Sequence, residues 1–139
     1  MRTPTTLIYG ILVVMQLVCE IPVHADIEYA VGKYCAKSEG LYDVSLHFVL
    51  FWVWFHGKYL TNEASARRVD VNPDIDTRNP YIWLPVNNNT DLAKALDDLK
   101  LPINKSELEW LYFANDQITA ITSLGNITLT PEKCDEAVN

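Results

Sequence analysis

The chain has 139 residues and carries 18 acidic against 11 basic side chains, which gives a formal net charge of −7 at pH 7. This balance argues against a nucleic-acid-binding protein, because affinity for nucleic acid depends on neutralising phosphates. It also argues against adsorption to an anionic lipid surface. The length is that of one domain with a single hydrophobic core.

The first residues have the pattern of a secretory signal peptide. Arg2 provides a positive start, Leu7–Cys19 is apolar, and small residues precede a cleavage position before Asp26. The apolar segment is too short to span a bilayer, so we expect no stable membrane span after cleavage; an uncleaved anchor is the alternative. The predicted organisation is therefore a signal peptide at residues 1–25 and a single secreted domain at residues 26–139.

Two cysteines remain after the predicted cleavage, Cys35 and Cys134. Secretion favours oxidation, so we expect a disulfide bond between them, with intermolecular pairing as the alternative. Closing a loop of this length stabilises the folded state by about 4.7 kcal/mol in the chain-entropy model. The bond would tie the two ends of the domain together.

Three N-glycosylation sequons follow the predicted signal. They begin at Asn88, Asn104 and Asn126, and none has proline at its middle position. In a eukaryotic secretory route, each sequon marks an exposed loop. The sequence therefore predicts a secreted, extracellular glycoprotein.

The most apolar part of the chain is Val44–Leu60, within which eight successive residues, 48–55, are apolar. β-Branched and aromatic residues favour a strand over a helix here. A transmembrane span would need more apolar residues than this segment has. The segment is either a core element or the site that binds something apolar; in the second case the ligand or interface residues are Phe48, Phe51, Trp52, Trp54 and Phe55.

Upstream and immediately downstream of this stretch, the pattern is mixed. Apolar residues spaced at i, i+3, i+4, i+7 and i+8 predict an amphipathic helix over Ile27–Lys37. Thr61–Arg68 is polar and predicts a solvated loop or a short helix. Tyr81–Val86 predicts a short or edge strand, because prolines flank it and lie within it.

The second half of the chain predicts one further helix and several strands. Leu92, Ala95, Leu96 and Leu99 form the apolar stripe of a short helix that Thr90 can cap. A capping-box pattern at 106–109 proposes another helix, whereas Trp110–Ile121 and Asn126–Thr130 favour strands. The predicted fold is α+β, a small single domain with a mainly antiparallel sheet, two or three short flanking helices and one disulfide.

Two short segments resemble known families. Leu108–Ile118 is similar to one turn of a leucine-rich repeat, and a solenoid needs about three such units. Ile82–Pro85, the turn at Asn115 and Asp116, and the strand after it resemble part of the ligand-binding domain of pentameric ligand-gated channels. The chain lacks a third repeat and the second cysteine of the channel signature loop. We therefore transfer no functional residue from either family.

Motifs for catalysis or metal binding are missing from the sequence. It has no G-x-S-x-G, H-E-x-x-H, Walker or G-x-G-x-x-G pattern, and His47 and His56 are not spaced as a zinc site. Residues 70–76 copy the first half of a calcium loop, but Ile75 replaces its glycine and Tyr81 its final glutamate. The carboxylate pairs at 97–98 and 107–109 lie in polar stretches. We predict no catalytic residue, no metal and no cofactor.

These observations leave three functional hypotheses. The first is a secreted, glycosylated, non-catalytic protein that binds an unknown extracellular protein. The alternative is an extracellular carrier of an apolar small molecule, and the second alternative is a small secreted hydrolase. A carrier needs an apolar cavity, a protein-binding domain needs an exposed apolar surface, and an enzyme needs a cleft with convergent polar groups.

Overall fold

The structure is a computed structural model that describes residues 27–72, 75–76 and 78–135. The predicted signal peptide and its cleavage position lie outside the described residues. Within them, ten strands, two α-helices and one 3₁₀ turn follow one another along the chain.

The first half of the chain forms a four-stranded antiparallel sheet, the first sheet. Its strands are β2 (Gly32–Ser38), β3 (Tyr42–Val49), β4 (Trp52–Tyr59) and β5 (Asn62–Asp70), in that order. Two short strands, β1 (Ile27–Glu28) and β6 (Ile75–Asp76), pair with each other beside it. The helix predicted for Ile27–Lys37 and the loop or helix predicted for Thr61–Arg68 are therefore wrong, because both segments are mostly strand.

The aromatic stretch Val44–Leu60 is strand, as predicted, but it is a hairpin and not one continuous strand. Val49 pairs with Trp52, so the turn consists of Leu50 and Phe51 alone. Leu50 has a φ of 57°, in the left-handed region that glycine and asparagine usually occupy. Alternation then sends Leu46, Phe48, Val53 and Phe55 into the core.

The second half of the chain forms another four-stranded antiparallel sheet, the second sheet. Its strands, in order, are β7 (Tyr81–Trp83), β8 (Trp110–Ala114), β9 (Gln117–Thr122) and β10 (Gly125–Leu129). The predicted hairpin and final strand are confirmed. Asn115 and Asp116 both have positive φ in the two-residue turn. Residues 108–118 thus build an antiparallel hairpin, which is not the geometry of a solenoid repeat.

A backbone junction joins the two sheets. Cys35 of β2 and Thr130 exchange backbone hydrogen bonds of 3.0 and 2.9 Å. The four-residue helix α2 (Glu132–Asp135) follows and brings Cys134 to Cys35, whose Cα atoms lie 5.0 Å apart in a disulfide that closes a sequence separation of 99. The predicted disulfide is confirmed, and it covers the seam between the sheets.

Helix α1 (Thr90–Leu99) packs against β5 and β4. Its four predicted stripe residues are all buried, and Asn89, one residue before the predicted cap, accepts a 2.9 Å hydrogen bond from the Leu92 amide. The capping box predicted for 106–109 lies two residues earlier, from Asn104 to Glu107, and begins a 3₁₀ turn over Lys105–Leu108.

The fold is mostly antiparallel sheet, with two four-stranded sheets, few helices and one disulfide. It contains more sheet than the predicted α+β arrangement, because only α1 is a helix of more than four residues in the described part of the chain. The inward faces of both sheets and the apolar stripe of α1 share one core. That shared interior positions the site described next.

Candidate functional site

The two sheets do not close completely on each other, and an apolar cavity of about 330 Å³ lies between them. This volume is at the lower end of the range of roughly 300–1,000 Å³ found for small-molecule sites. Strands of both sheets, α1 and the segment that follows it form the wall. The lining residues are Leu41, Tyr42, Val44, Leu46, Phe55, Tyr59, Leu84, Leu96, Leu101, Pro102, Ile103, Leu108, Leu111, Ala120, Leu124, Asn126, Ile127 and Leu129.

The cavity has a buried floor and an exposed mouth. Leu46, Leu111 and Leu129 on the floor are at most 4% exposed, whereas Leu41 and Leu124 at the mouth are 43% and 68% exposed. The mouth therefore lies between three parts of the chain. They are the β2–β3 turn at Leu41, next to the end of β4, the segment 101–103, and the β9–β10 turn. Two apolar side chains held in solvent at an opening are suited to meeting an apolar ligand.

Among the described lining residues, none is charged. The polar side chains of the wall are Tyr42, Tyr59 and Asn126, and the two tyrosines pair directly across β3 and β4. Neither tyrosine hydroxyl has a hydrogen-bond partner among the described residues. A charged ligand group inside this wall would lose its hydration without gaining a counter-charge, which is costly. The chemistry of the wall therefore suits an uncharged molecule.

Glu107 fastens two sides of the mouth together. Its carboxylate accepts 2.6 Å and 2.9 Å hydrogen bonds from the backbone amides of Ser123 and Asn104 respectively. These donors, Ser123 first, hold the pKa of Glu107 below its ordinary value of 4.5. Because Leu108 and Leu124 beside these residues line the cavity, the carboxylate connects the 3₁₀ turn to the β9–β10 turn at this part of the mouth.

Further contacts hold α1 over the cavity. The Asn62 side chain donates a 3.0 Å hydrogen bond to the Leu99 carbonyl, and Lys105 forms a 3.1 Å ion pair with Asp97. Beside the cavity, a shallow polar depression contains Lys100 and Lys105 and shares three apolar residues with it. The Lys100 ammonium has no ion pair within the described part of the chain, so an anionic group in this depression could contact it.

The five aromatic residues predicted as a ligand or interface set are not together. Phe55 lines the cavity and Phe48 lies in the core. Phe51 and Trp54 are 58% and 47% exposed, and the Arg68 guanidinium lies 3.8 Å above the Trp52 ring. Sequence reasoning missed the aliphatic majority of the wall, because its leucines are scattered over five elements and the connections between elements and have no common spacing.

The asparagines of all three sequons, Asn88, Asn104 and Asn126, are exposed. Asn104 uses its side-chain oxygen to accept a hydrogen bond from the Ser106 amide, and no hydrogen bond is formed by its side-chain nitrogen, the atom that carries a glycan, among the described residues. Asn126 lies at the cavity mouth. Occupancy of the sequons stays a prediction.

The carboxylates considered for acid–base chemistry have structural partners instead. Asp97 pairs with Lys105 and Asp98 with Lys94, while Glu107 forms the mouth contact described above. Glu109 accepts a 3.0 Å hydrogen bond from the Trp83 indole. None of these groups converges with another on the cavity.

The side chains considered as metal ligands are also not grouped, or they already contact other protein groups. Among the described residues, no group of three His, Cys, Asp or Glu is placed to hold a metal ion. His56 contacts Glu63 at 2.8 Å, and His47 packs edge-on to Trp54. In the acidic run, the Asn72 side chain donates a hydrogen bond to the Tyr81 carbonyl and accepts one from the Trp83 amide. Asp74 lies outside the described residues.

No helix in the described ranges has both the length and the apolar character that crossing a membrane requires.

A scan with protein-family models finds no match to this chain, and searches of characterised proteins and of solved structures likewise find none. The geometry of the cavity is therefore the basis on which function is inferred below.

Proposed function

We propose that this protein is an extracellular carrier of an uncharged apolar small molecule, which it binds in the cavity between its two sheets. The observation that carries the proposal is the cavity of about 330 Å³, whose described wall is mostly aliphatic and aromatic and has no charged residue. Large apolar voids are rare in close-packed protein interiors and cost stability. A fold that keeps one open to solvent is therefore best explained by a ligand that fills it.

The wall also indicates the ligand class. Since no charged residue lines the described wall, a hydrocarbon, a long-chain alcohol or a sterol-like molecule fits it better than a fatty-acid anion. The hydroxyls of Tyr42 and Tyr59 can serve one neutral polar group of the ligand near the mouth. The lining is apolar throughout its floor, which supports binding over hydrolysis.

The extracellular location is part of the same proposal. A disulfide bond is compatible with an oxidising compartment, and the N-terminal sequence has the pattern of a signal peptide. Three sequons with exposed asparagines support glycosylation on that route. Apolar molecules have low solubility in extracellular fluid, and a carrier in that compartment would keep them in solution.

Filling the cavity tests the proposal directly. Ala120 faces the cavity from β9, opposite Ile127. Ala120→Leu should lower the affinity for a neutral apolar fluorescent probe, N-phenyl-1-naphthylamine, at least ten-fold, while the melting temperature stays equal or rises because a void is filled. A probe titration and a thermal melt on the same samples measure both effects.

The matched control is Ala114→Leu, the same substitution in the same sheet. Ala114 alternates with the inward residues of β8 and so lies on the opposite face. It should leave probe affinity unchanged. Equal affinity of wild type and Ala120→Leu, with both proteins folded, would contradict binding in this cavity.

A second candidate function, binding to another extracellular protein, is favoured by the outer face of the second sheet. Tyr81 and Tyr112 pair there edge to face at 5.7 Å, and Trp110 and Ile121 are 54% and 64% exposed. Exposed aromatics of this kind are frequent interface anchors. Purified protein that neither carries nor binds apolar molecules would favour this candidate over the carrier.

A further inference from the structure

The β3–β4 turn and the outer face beside it form a patch that the carrier function does not use, here named the hairpin patch. Its apolar members are Val31, Leu50, Phe51 and Trp54, which are 71%, 79%, 58% and 47% exposed. Leu50 and Phe51 form the turn itself, at the end of the β3–β4 hairpin. A two-residue turn made of two large apolar side chains is costly to leave in water without a partner.

The same patch is locally basic. Lys33, His47 and Trp54 follow one another across β2, β3 and β4 on the outward face. At β5, the register shifts between Val53 and Phe55, so two residues, Arg67 and Arg68, face Trp54 where one is usual. Such a bulge re-aims side chains, and here it presents both arginines to solvent.

The cations of the patch are available to an outside partner. Lys33, Arg67 and Arg68 have no ion pair within the described residues, and the acidic residue nearest in register is Asp70, opposite Trp52. Arg68 stacks on Trp52 at 3.8 Å, which holds its guanidinium near the turn. The net charge of −7 argues against adsorption of the chain as a whole, but this face of the first sheet is basic among its described side chains, with Asp70 as the carboxylate in the strand register.

We propose that the hairpin patch docks this protein onto an anionic lipid surface. Leu50 and Phe51 enter the headgroup region, Trp54 lies at the interface, and Lys33, Arg67 and Arg68 contact anionic headgroups. Because the patch is basic, charge complementarity requires a negatively charged lipid surface. The projecting apolar turn favours a membrane over an acidic protein or a sulfated polysaccharide, neither of which offers a hydrocarbon layer.

Two further features of the chain agree with this surface. The sequons begin at Asn88, Asn104 and Asn126, so none lies on β2–β5, and a glycan would not separate the patch from a bilayer. The cavity mouth lies at the opposite ends of β3 and β4, about 25 Å away for strands of this length. The docked protein therefore keeps its mouth open to solvent, and docking is independent of what the cavity holds.

The experiment uses the whole mature protein with vesicles of phosphatidylcholine alone and with phosphatidylcholine containing 30% phosphatidylglycerol (roughly the anionic fraction at which such surfaces attract basic residues). Binding should require the anionic lipid and weaken with added salt. Cosedimentation measures the affinity, and a blue shift of tryptophan emission that is lost in Trp54→Phe reports entry of Trp54. Failure to bind the anionic vesicles, or equal binding to both kinds, would overturn the proposal.

Matched variants locate the surface. Arg67→Gln with Arg68→Gln should weaken binding about five-fold per arginine, and Leu50→Ser with Phe51→Ser should abolish the emission shift. The controls, Lys94→Gln with Lys133→Gln and Ile121→Ser, change residues outside the patch and should bind as wild type does. A control that loses as much affinity as the patch variants, or binding to heparin but not to vesicles, would refute the assignment.

Discussion

Gly57 shows how a single residue sets the distance between the helix and the first sheet. A β-carbon added there would lie 2.7 Å from Cδ1 of Leu99 and 2.9 Å from Cζ of Phe55. Both distances are shorter than any ordinary carbon contact, and both partners are buried. The absence of a side chain at this position lets α1 lie directly on β4.

Gly57→Ala should therefore destabilise the protein by about 1–3 kcal/mol, the usual cost of overpacking a core. It should also weaken probe binding, because Phe55 lines the cavity and is the ring that must move. Urea unfolding measures the stability. In the double variant with Leu99→Ala, the cost of the alanine at 57 should be smaller than in the wild-type background; strict additivity of the two changes would show that Leu99 is not the obstacle.

At the scale of residues, structure can be predicted from the sequence where a residue type has one common structural role. The four stripe residues of α1 predict that helix, and the two cysteines predict their own bond. The β3–β4 turn could not be predicted, because Leu50 adopts a positive φ without being glycine or asparagine. The pairing energy of two eight-residue strands outweighs a strain of about 1–2 kcal/mol at one position.

At the scale of elements, one of the two wrongly predicted segments is Ile27–Lys37. Its apolar residues fit a helical stripe, but Tyr34 and Ala36 also alternate as a strand requires, and both face the core of the structure. Cys35, on the other face, is buried as well because α2 and the disulfide cover it. A strand that is covered on both faces lacks the alternation of apolar and polar residues, so periodicity alone could not distinguish it from a helix.

The contact of Glu107 with Ser123 and Asn104 gives the mouth a predictable response to pH. A carboxyl whose folded-state pKa is lowered contributes stability above its unfolded value of 4.5, and the contribution is lost as pH falls through the lower folded value. At pH 6, wild type should therefore have a higher melting temperature than Glu107→Gln. The difference in melting temperature should decrease as pH falls below 4.5 and disappear once Glu107 is protonated in the folded protein.

Thermal melts of both proteins across pH 3–7 check this prediction. Glu39→Gln, an exposed substitution in the β2–β3 turn, is the control and should not alter the pH profile. A difference between wild type and Glu107→Gln that persists unchanged at pH 3 would show that the charge of Glu107 does not hold the mouth.

At the scale of the whole molecule, the seam between the sheets depends on the disulfide. Only the bridge between Cys35 and Thr130 pairs the sheets directly in the described residues, and the bond closes a sequence separation of 99. Its removal by Cys35→Ala with Cys134→Ala should lower the free energy of unfolding by about 4.7 kcal/mol in the chain-entropy model. Urea titrations of the oxidised wild type and of the variant measure the difference.

The seam also forms one side of the cavity, since Leu129 precedes Thr130. The double alanine variant should therefore lose probe affinity as well as stability. A change of less than about 1 kcal/mol, with probe affinity retained, would show that core packing alone holds the two sheets together.

The distribution of the cavity over the whole chain explains why it could not be predicted. Its wall takes residues from β3, β4, α1, β8, β9 and β10, and only the path of the chain brings them together. The aromatic stretch is the most visible apolar feature of the sequence, yet it divides among wall, core and surface.

The most direct test of the carrier function is native mass spectrometry of the protein purified from a secretory host, before and after mild denaturation. The cavity predicts additional mass from an uncharged apolar molecule, present in the native protein and absent after denaturation. The same spectra report the disulfide, the cleavage position and the number of glycans. A native mass equal to that of the protein and its glycans, with no later uptake of long-chain alcohol or sterol, would contradict the carrier function.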